Sequence, residues 1–144
     1  MQPPHYERHI AIHGPTGSGQ TVCLRYFLDI LFAPEKNKER QYIVIDGKWI
    51  EFSYLRKKDL PNVIVMTPEE PRYLVPVLVD TLERLEEKET YVFIDALFMG
   101  ENTSAEKEQF EELLTKSHLT FFITGAERKL EGFKHLYLKD RAEF

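Results

Sequence analysis

Residues 14–21 read Gly14-Pro15-Thr16-Gly17-Ser18-Gly19-Gln20-Thr21. The spacing is that of a phosphate-binding loop: a glycine, four residues, a glycine, a position usually held by lysine, then a threonine. A strand-like run at 8–13 (RHIAIH) precedes it and a helical run at 21–32 follows. The chemistry needs that context, because such a loop wraps its amide N–H groups around a phosphate where a helix N-terminus points its positive end. Glycines at 14, 17 and 19 permit torsions and close approaches that a Cβ would block. An ordinary strand-to-helix turn would not need Ser18, Gly19 and Thr21 together in the places this pattern asks for. One position departs: Gln20 stands where lysine belongs.

Outward from the loop, helical and strand patterns alternate. The helix after it carries Val22, Tyr26, Phe27, Ile30 and Leu31 at helical spacing, an expected core stripe, and Pro34 stops it. Residues 41–46 (QYIVID) and 90–97 (TYVFIDAL) are nearly continuous apolar runs, as for strands buried on both faces of a parallel sheet. Shorter strand patterns fall at 62–66, 118–124 and 135–139. Thr67, Pro68 and Glu70 form a helix-start signature with a capping box. The helix they open is expected to run to about residue 88, with Pro76 kinking it or delaying its start. A further helix is expected over 104–116. The histidines beside Ile10 and Ile12 are expected at strand ends or facing solvent, since nothing nearby completes a metal set. Alternation of this kind implies right-handed crossovers and an α/β fold, a mostly parallel sheet with helices on both faces.

A phosphate loop that uses Mg²⁺ needs a second anchor. Thr21 offers a hydroxyl, and an aspartate at the end of a hydrophobic strand supports the other side. Asp95, after Tyr91-Val92-Phe93-Ile94, fits best; Asp46 ends a similar strand and is the alternative. The expected metal pair is therefore Thr21 with Asp95, and the expected nucleotide-binding residues are Gly14 to Thr21.

With 144 residues the chain suits one domain, here 1–144, with a core of its own. Its single cysteine, Cys23, excludes an internal disulfide and suits a reducing compartment. No apolar run reaches the roughly 20 residues that span a bilayer, and no signal peptide is visible. The expected location is cytoplasmic, with any membrane association made through a partner and no direct insertion. The net charge of −5 has the wrong sign for a domain that grips nucleic acid over its whole surface. The basic clusters Lys36/Lys38/Arg40, Arg56/Lys57/Lys58 and Arg128/Lys129 read as solvated loops.

Four segments, in order, resemble the FtsK/SpoIIIE translocase family: the loop GPTGSG; Ile45-Asp46-Gly47-Lys48 followed by WIEFSYL, where the family has IDPK and then xVELSxY; VFIDAL; and LTFFITGAER, where the family has a strand ending ATQRP. The resemblance covers about residues 8–125. It implies a RecA-like P-loop NTPase core that uses ATP and Mg²⁺. It also implies ring-forming relatives that pump DNA, and cousins such as the EssC/EccC ATPases of type VII secretion. The partners so implied are other ATPase domains or subunits of a translocation or secretion assembly, with DNA met only in that assembly.

The departures from the family pattern bear on activity. Gln20 replaces the loop lysine, Ala96 stands where the glutamate that activates water follows the strand-end aspartate, and Gly125 replaces the glutamine of the sensor strand. A lysine ammonium near the phosphates contributes on the order of 4 kcal/mol at an effective dielectric of 20. Loss of a general base removes a factor of about 10² to 10⁴ in rate. No intact catalytic set is left, whereas the amides that bind phosphate remain. The resemblance thus points to a catalytically degenerate module. The rival expectation is a working ATPase motor whose missing groups come from a neighbouring subunit.

Overall fold

The computed structural model describes residues 9–14, 19–32, 39–46, 62–68, 73–95, 103–124 and 133–138. Within them lie six strands and three helices: β1 (Ile10–His13), α1 (Gln20–Leu31), β2 (Arg40–Asp46), β3 (Val63–Met66), α2 (Leu74–Arg84), β4 (Glu89–Asp95), α3 (Ser104–Leu114), β5 (Leu119–Thr124) and β6 (Lys134–Tyr137). The strands form one sheet in the order β3-β2-β4-β5-β1-β6, and every described pairing is parallel. The alternating α/β reading therefore holds.

The continuous apolar runs serve both faces, because successive side chains on a strand point to opposite sides. Tyr42, Val44, Tyr91 and Phe93 pack with Ile12 and Phe122 against Leu24 and Leu28 of α1. Ile43, Ile45, Val92 and Ile94 pack on the other side, against Leu74, Val75 and Leu78 of α2 and Phe110 and Leu114 of α3. Full burial of a leucine such as Leu24 contributes about 1.5–3 kcal/mol, so each helix is held to the sheet chiefly by two or three such residues.

Two expectations about helices are modified. In α1 the stripe predicted from spacing is wider than one contact with a sheet can cover. Leu24 and Leu28 face the core, Phe27 and Leu31 are half-buried, and Val22, Tyr26 and Ile30 stay 62%, 62% and 58% exposed. In the second helix Pro76 falls in the first turn of α2, where its missing N–H matters least, so the proline delays the start rather than kinking the helix. Tyr73 is the N-cap of α2; Glu70 of the predicted capping box lies outside the described residues. A capping box occurs instead at α3. There Thr103 Oγ1 accepts from the Glu106 amide (3.2 Å), and the Glu106 carboxylate accepts from the Thr103 amide (2.8 Å).

Arg40, read from sequence as part of a solvated basic loop, opens β2. Its guanidinium donates to the Leu31 carbonyl (3.1 Å), pairs with Glu89 (3.3 Å) and lies over the Tyr91 ring. The Tyr91 hydroxyl donates to the same Glu89 carboxylate, and burial together with that bond pushes its pKa up to about 12. The Lys36/Lys38, Arg56/Lys57/Lys58 and Arg128/Lys129 positions lie outside the described residues.

Candidate functional site

In a parallel sheet all strands end at the same edge, and ligands bind in the crevice outside those carboxyl ends. Here that edge carries Gly14 after β1, Asp46 ending β2, Asp95 ending β4 and Thr124 ending β5. The N-terminus of α1 meets it. Gly19, the N-cap, has φ 95° and ψ 26°, a left-handed conformation that glycine adopts without penalty. The cap makes no side-chain hydrogen bond, and the first turn of α1 holds no acidic residue. The positive end of the helix dipole is thus not offset by a carboxylate of its own, which suits an anion.

Thr21 and Asp95, far apart in sequence, are brought together. Thr21 Oγ1 lies 3.3 Å from both carboxylate oxygens of Asp95. Asp95 is 1% exposed and accepts a second hydroxyl, that of Thr124, at 2.8 Å. Thr124 reaches it because β5 lies between β1 and β4: Ile12 is in register with Thr124, and Ile94 with Ile123. The sequence reading missed Thr124. The available signal was its place at the end of a hydrophobic strand, in the same role as Asp95. Asp46, the alternative, is in register with Asp95 on the adjacent strand.

Gln20 brings no charge to the lysine position. Its amide nitrogen donates to the carbonyl oxygen of Gly14, folding the side chain back on the loop. Pro15, Thr16, Gly17, Ser18, Ala96 and Gly125 lie outside the described residues, as do 47–55 of the second resembling segment. The donor set that is described fits the groups the fold family uses. A threonine hydroxyl and a buried carboxylate are hard oxygen donors suited to Mg²⁺, and a helix N-terminus with no acidic residue in its own first turn suits a phosphate. Bound there, Mg²⁺ would neutralise charge on phosphate oxygens; Thr21 and Asp95 would hold it, and Thr124 would fix the carboxylate.

Immediately before the loop, His13 Nε2 sits 2.6 Å from His135 Nδ1 of the edge strand β6, within hydrogen-bond distance. The His13 and His135 rings lie side by side, planes 24° apart and centroids 4.9 Å apart, and the His13 ring stacks on Tyr137 at the same centroid distance. Burial, and secondarily the proximity of His135, lowers the His13 pKa from its ordinary value. A histidine whose folded pKa lies below its unfolded value of about 6.5 favours the neutral form in the fold. Its contribution is complete above that pH and is lost as pH falls toward the folded pKa. Thermal melts between about pH 7.5 and 5.5 should therefore show stability falling with acid. His13→Phe should flatten that slope, and an unchanged slope in the variant would remove His13 as its source.

Comparison with known proteins bears on the family and the fold. A profile of the FtsK/SpoIIIE family matches residues 2–138. The DNA translocase FtsK of Leptospira interrogans is 27% identical over 78 residues, 54% of this chain and 8% of that protein. The DNA translocase FtsK of Borreliella burgdorferi is 24% identical over 115 residues, 80% of this chain and 14% of that protein. The chain thus spans a small fraction of the length of these relatives. Among solved structures, Thermomonospora curvata EccC (ATPases 2 and 3) in complex with a signal sequence peptide superimposes with a TM-score of 0.58 at 16% identity. The overlap covers 81% of this chain and 24% of that one, a likeness of fold. The match from residue 2 to 138 encloses every described strand of the sheet, and the chain belongs to the FtsK/SpoIIIE family.

Proposed function

We propose that residues 1–144 form a single FtsK/SpoIIIE-like nucleotide-binding domain with impaired hydrolysis. By this reading it serves as a structural or regulatory module of a DNA-translocation or protein-secretion ATPase. The observation that carries the reading is an asymmetry within one site. The hydroxyl contacts of Thr21 and Thr124 with the Asp95 carboxylate support a retained metal site, whereas Gln20, turned onto its own loop and without charge, supports impaired hydrolysis. Binding chemistry is retained and the cation that stabilises phosphoryl transfer is lost. The similarity to DNA translocases and to secretion ATPases supports other ATPase domains as the partners, with DNA engaged only through the assembly. A working motor completed by a neighbouring subunit is the second reading, favoured by the intact contact between Thr21 and Asp95. The loop lysine is the hardest group to supply that way.

The expected affinity follows from the charge. A micromolar site deprived of about 4 kcal/mol falls to roughly millimolar. Titration calorimetry with ATP and Mg²⁺ should show weak binding that Asp95→Asn makes independent of Mg²⁺. No heat at millimolar ATP would mean that the loop no longer binds nucleotide.

A further inference from the structure

At the opposite edge of the sheet from Thr21 and Asp95, a groove of about 480 Å³ runs between the last turns of α2 and α3. Its floor is apolar: Val79, Leu82, Leu85 and Leu113, half-buried against the core, and Leu119, fully buried at the start of β5. Its rim is acidic, with the exposed carboxylates of Glu83, Glu86, Glu87 and Glu112. Among the described residues the basic groups on the rim are Lys116 and His118, and His118 Nδ1 is 3.5 Å from Glu87.

A second feature of independent origin has the same sign. Both helices present their C-terminal turns to the groove, so the negative ends of two helix dipoles lie at its rim. The last turn of α3 holds no basic residue, and the only basic residue in the last turn of α2, Arg84, is drawn to Asp80 at 3.2 Å. An apolar floor under four carboxylates and two helix C-termini selects a cationic, amphipathic occupant. The volume holds a bulky apolar side chain together with the aliphatic stem of a lysine or arginine whose charged head stays at the rim.

We propose that this groove docks a segment of a partner protein in which a large apolar residue is followed, within a helical turn, by lysine or arginine. The site is remote from the loop, so the proposal stands or falls separately from nucleotide binding.

Fluorescence anisotropy with two labelled peptides of about 12 residues tests it, one of leucine and lysine at amphipathic helical spacing and the other with glutamate in place of lysine. The lysine peptide should bind at low salt and shift the amide resonances of Leu113, His118 and Leu119; the glutamate peptide should not bind. Glu112→Lys should weaken the lysine peptide roughly tenfold, and added salt should weaken it further. Asp29→Lys, which changes the net charge equally but lies on α1 across the sheet, should weaken it less than about twofold. Equal loss in the two variants would reduce the binding to general attraction by an acidic chain and overturn the proposal. Equal binding of the two peptides, or none at millimolar concentration, would overturn it as well.

Discussion

Incubated with ATP and Mg²⁺, the protein is expected to release phosphate at background rate, and Gln20→Lys alone is expected not to change that. The two missing groups act on different parts of the barrier. A lysine at position 20 would stabilise charge that develops on the transferred phosphoryl group. An acid after Asp95 would orient and deprotonate the attacking water. Restoring the first should tighten nucleotide binding by up to about 4 kcal/mol, and it also removes the amide that now donates to Gly14. The water would still lack its base, and about 10² to 10⁴ in rate would still be missing. Adding Ala96→Glu to Gln20→Lys is the change expected to raise turnover. A phosphate-release assay on the wild-type chain and the two variants separates the outcomes. Turnover by the unmodified chain at roughly 1 s⁻¹ or faster, the range of ordinary enzymes, would replace the impaired reading with the motor reading.

His9→Leu is expected to destabilise the fold by roughly 2–4 kcal/mol, although leucine is apolar and of similar size. His9 is fully buried just before β1, where its ring joins three elements. Nδ1 accepts the Phe121 amide at 3.0 Å, which places the ring hydrogen on Nε2 and lets it donate to the Leu114 carbonyl at 2.9 Å. The ring also meets Phe121 edge-on and lies against Phe133. Leucine would keep much of the packing and strand both a donor and an acceptor in the interior, each costing about 1–3 kcal/mol. For a chain of this size the melting temperature should drop by about 5–15 °C. His9→Gln, able to keep one of the two bonds, should fall between leucine and wild type. A melting temperature for His9→Leu within about 2 °C of wild type would show that water or rearrangement satisfies those groups.

The same residue marks where reading the sequence stops. Nothing local distinguishes His9 from His13, and both were expected at strand ends or in solvent. Both do sit at the ends of β1, but not in solvent: His9 is a fully buried bridge between β5 and α3, and His13 is half-buried beside His135 of the edge strand. What the sequence determined by itself was whatever repeats locally. The continuous runs Tyr42 to Ile45 and Tyr91 to Ile94 require burial on both faces. The glycine spacing after β1 and the aspartate ending β4 mark Thr21 and Asp95 as partners. Tertiary structure alone decided the strand order, and with it the place of Thr124. With β5 between β1 and β4, its terminal hydroxyl meets Asp95. Tertiary structure also decided which side of α1 is covered, leaving Val22, Tyr26 and Ile30 outward. The physical reason is common to all three. Side-chain periodicity states how many faces of an element are apolar, but which face meets which neighbour depends on packing between segments distant in the chain, and no local pattern records that.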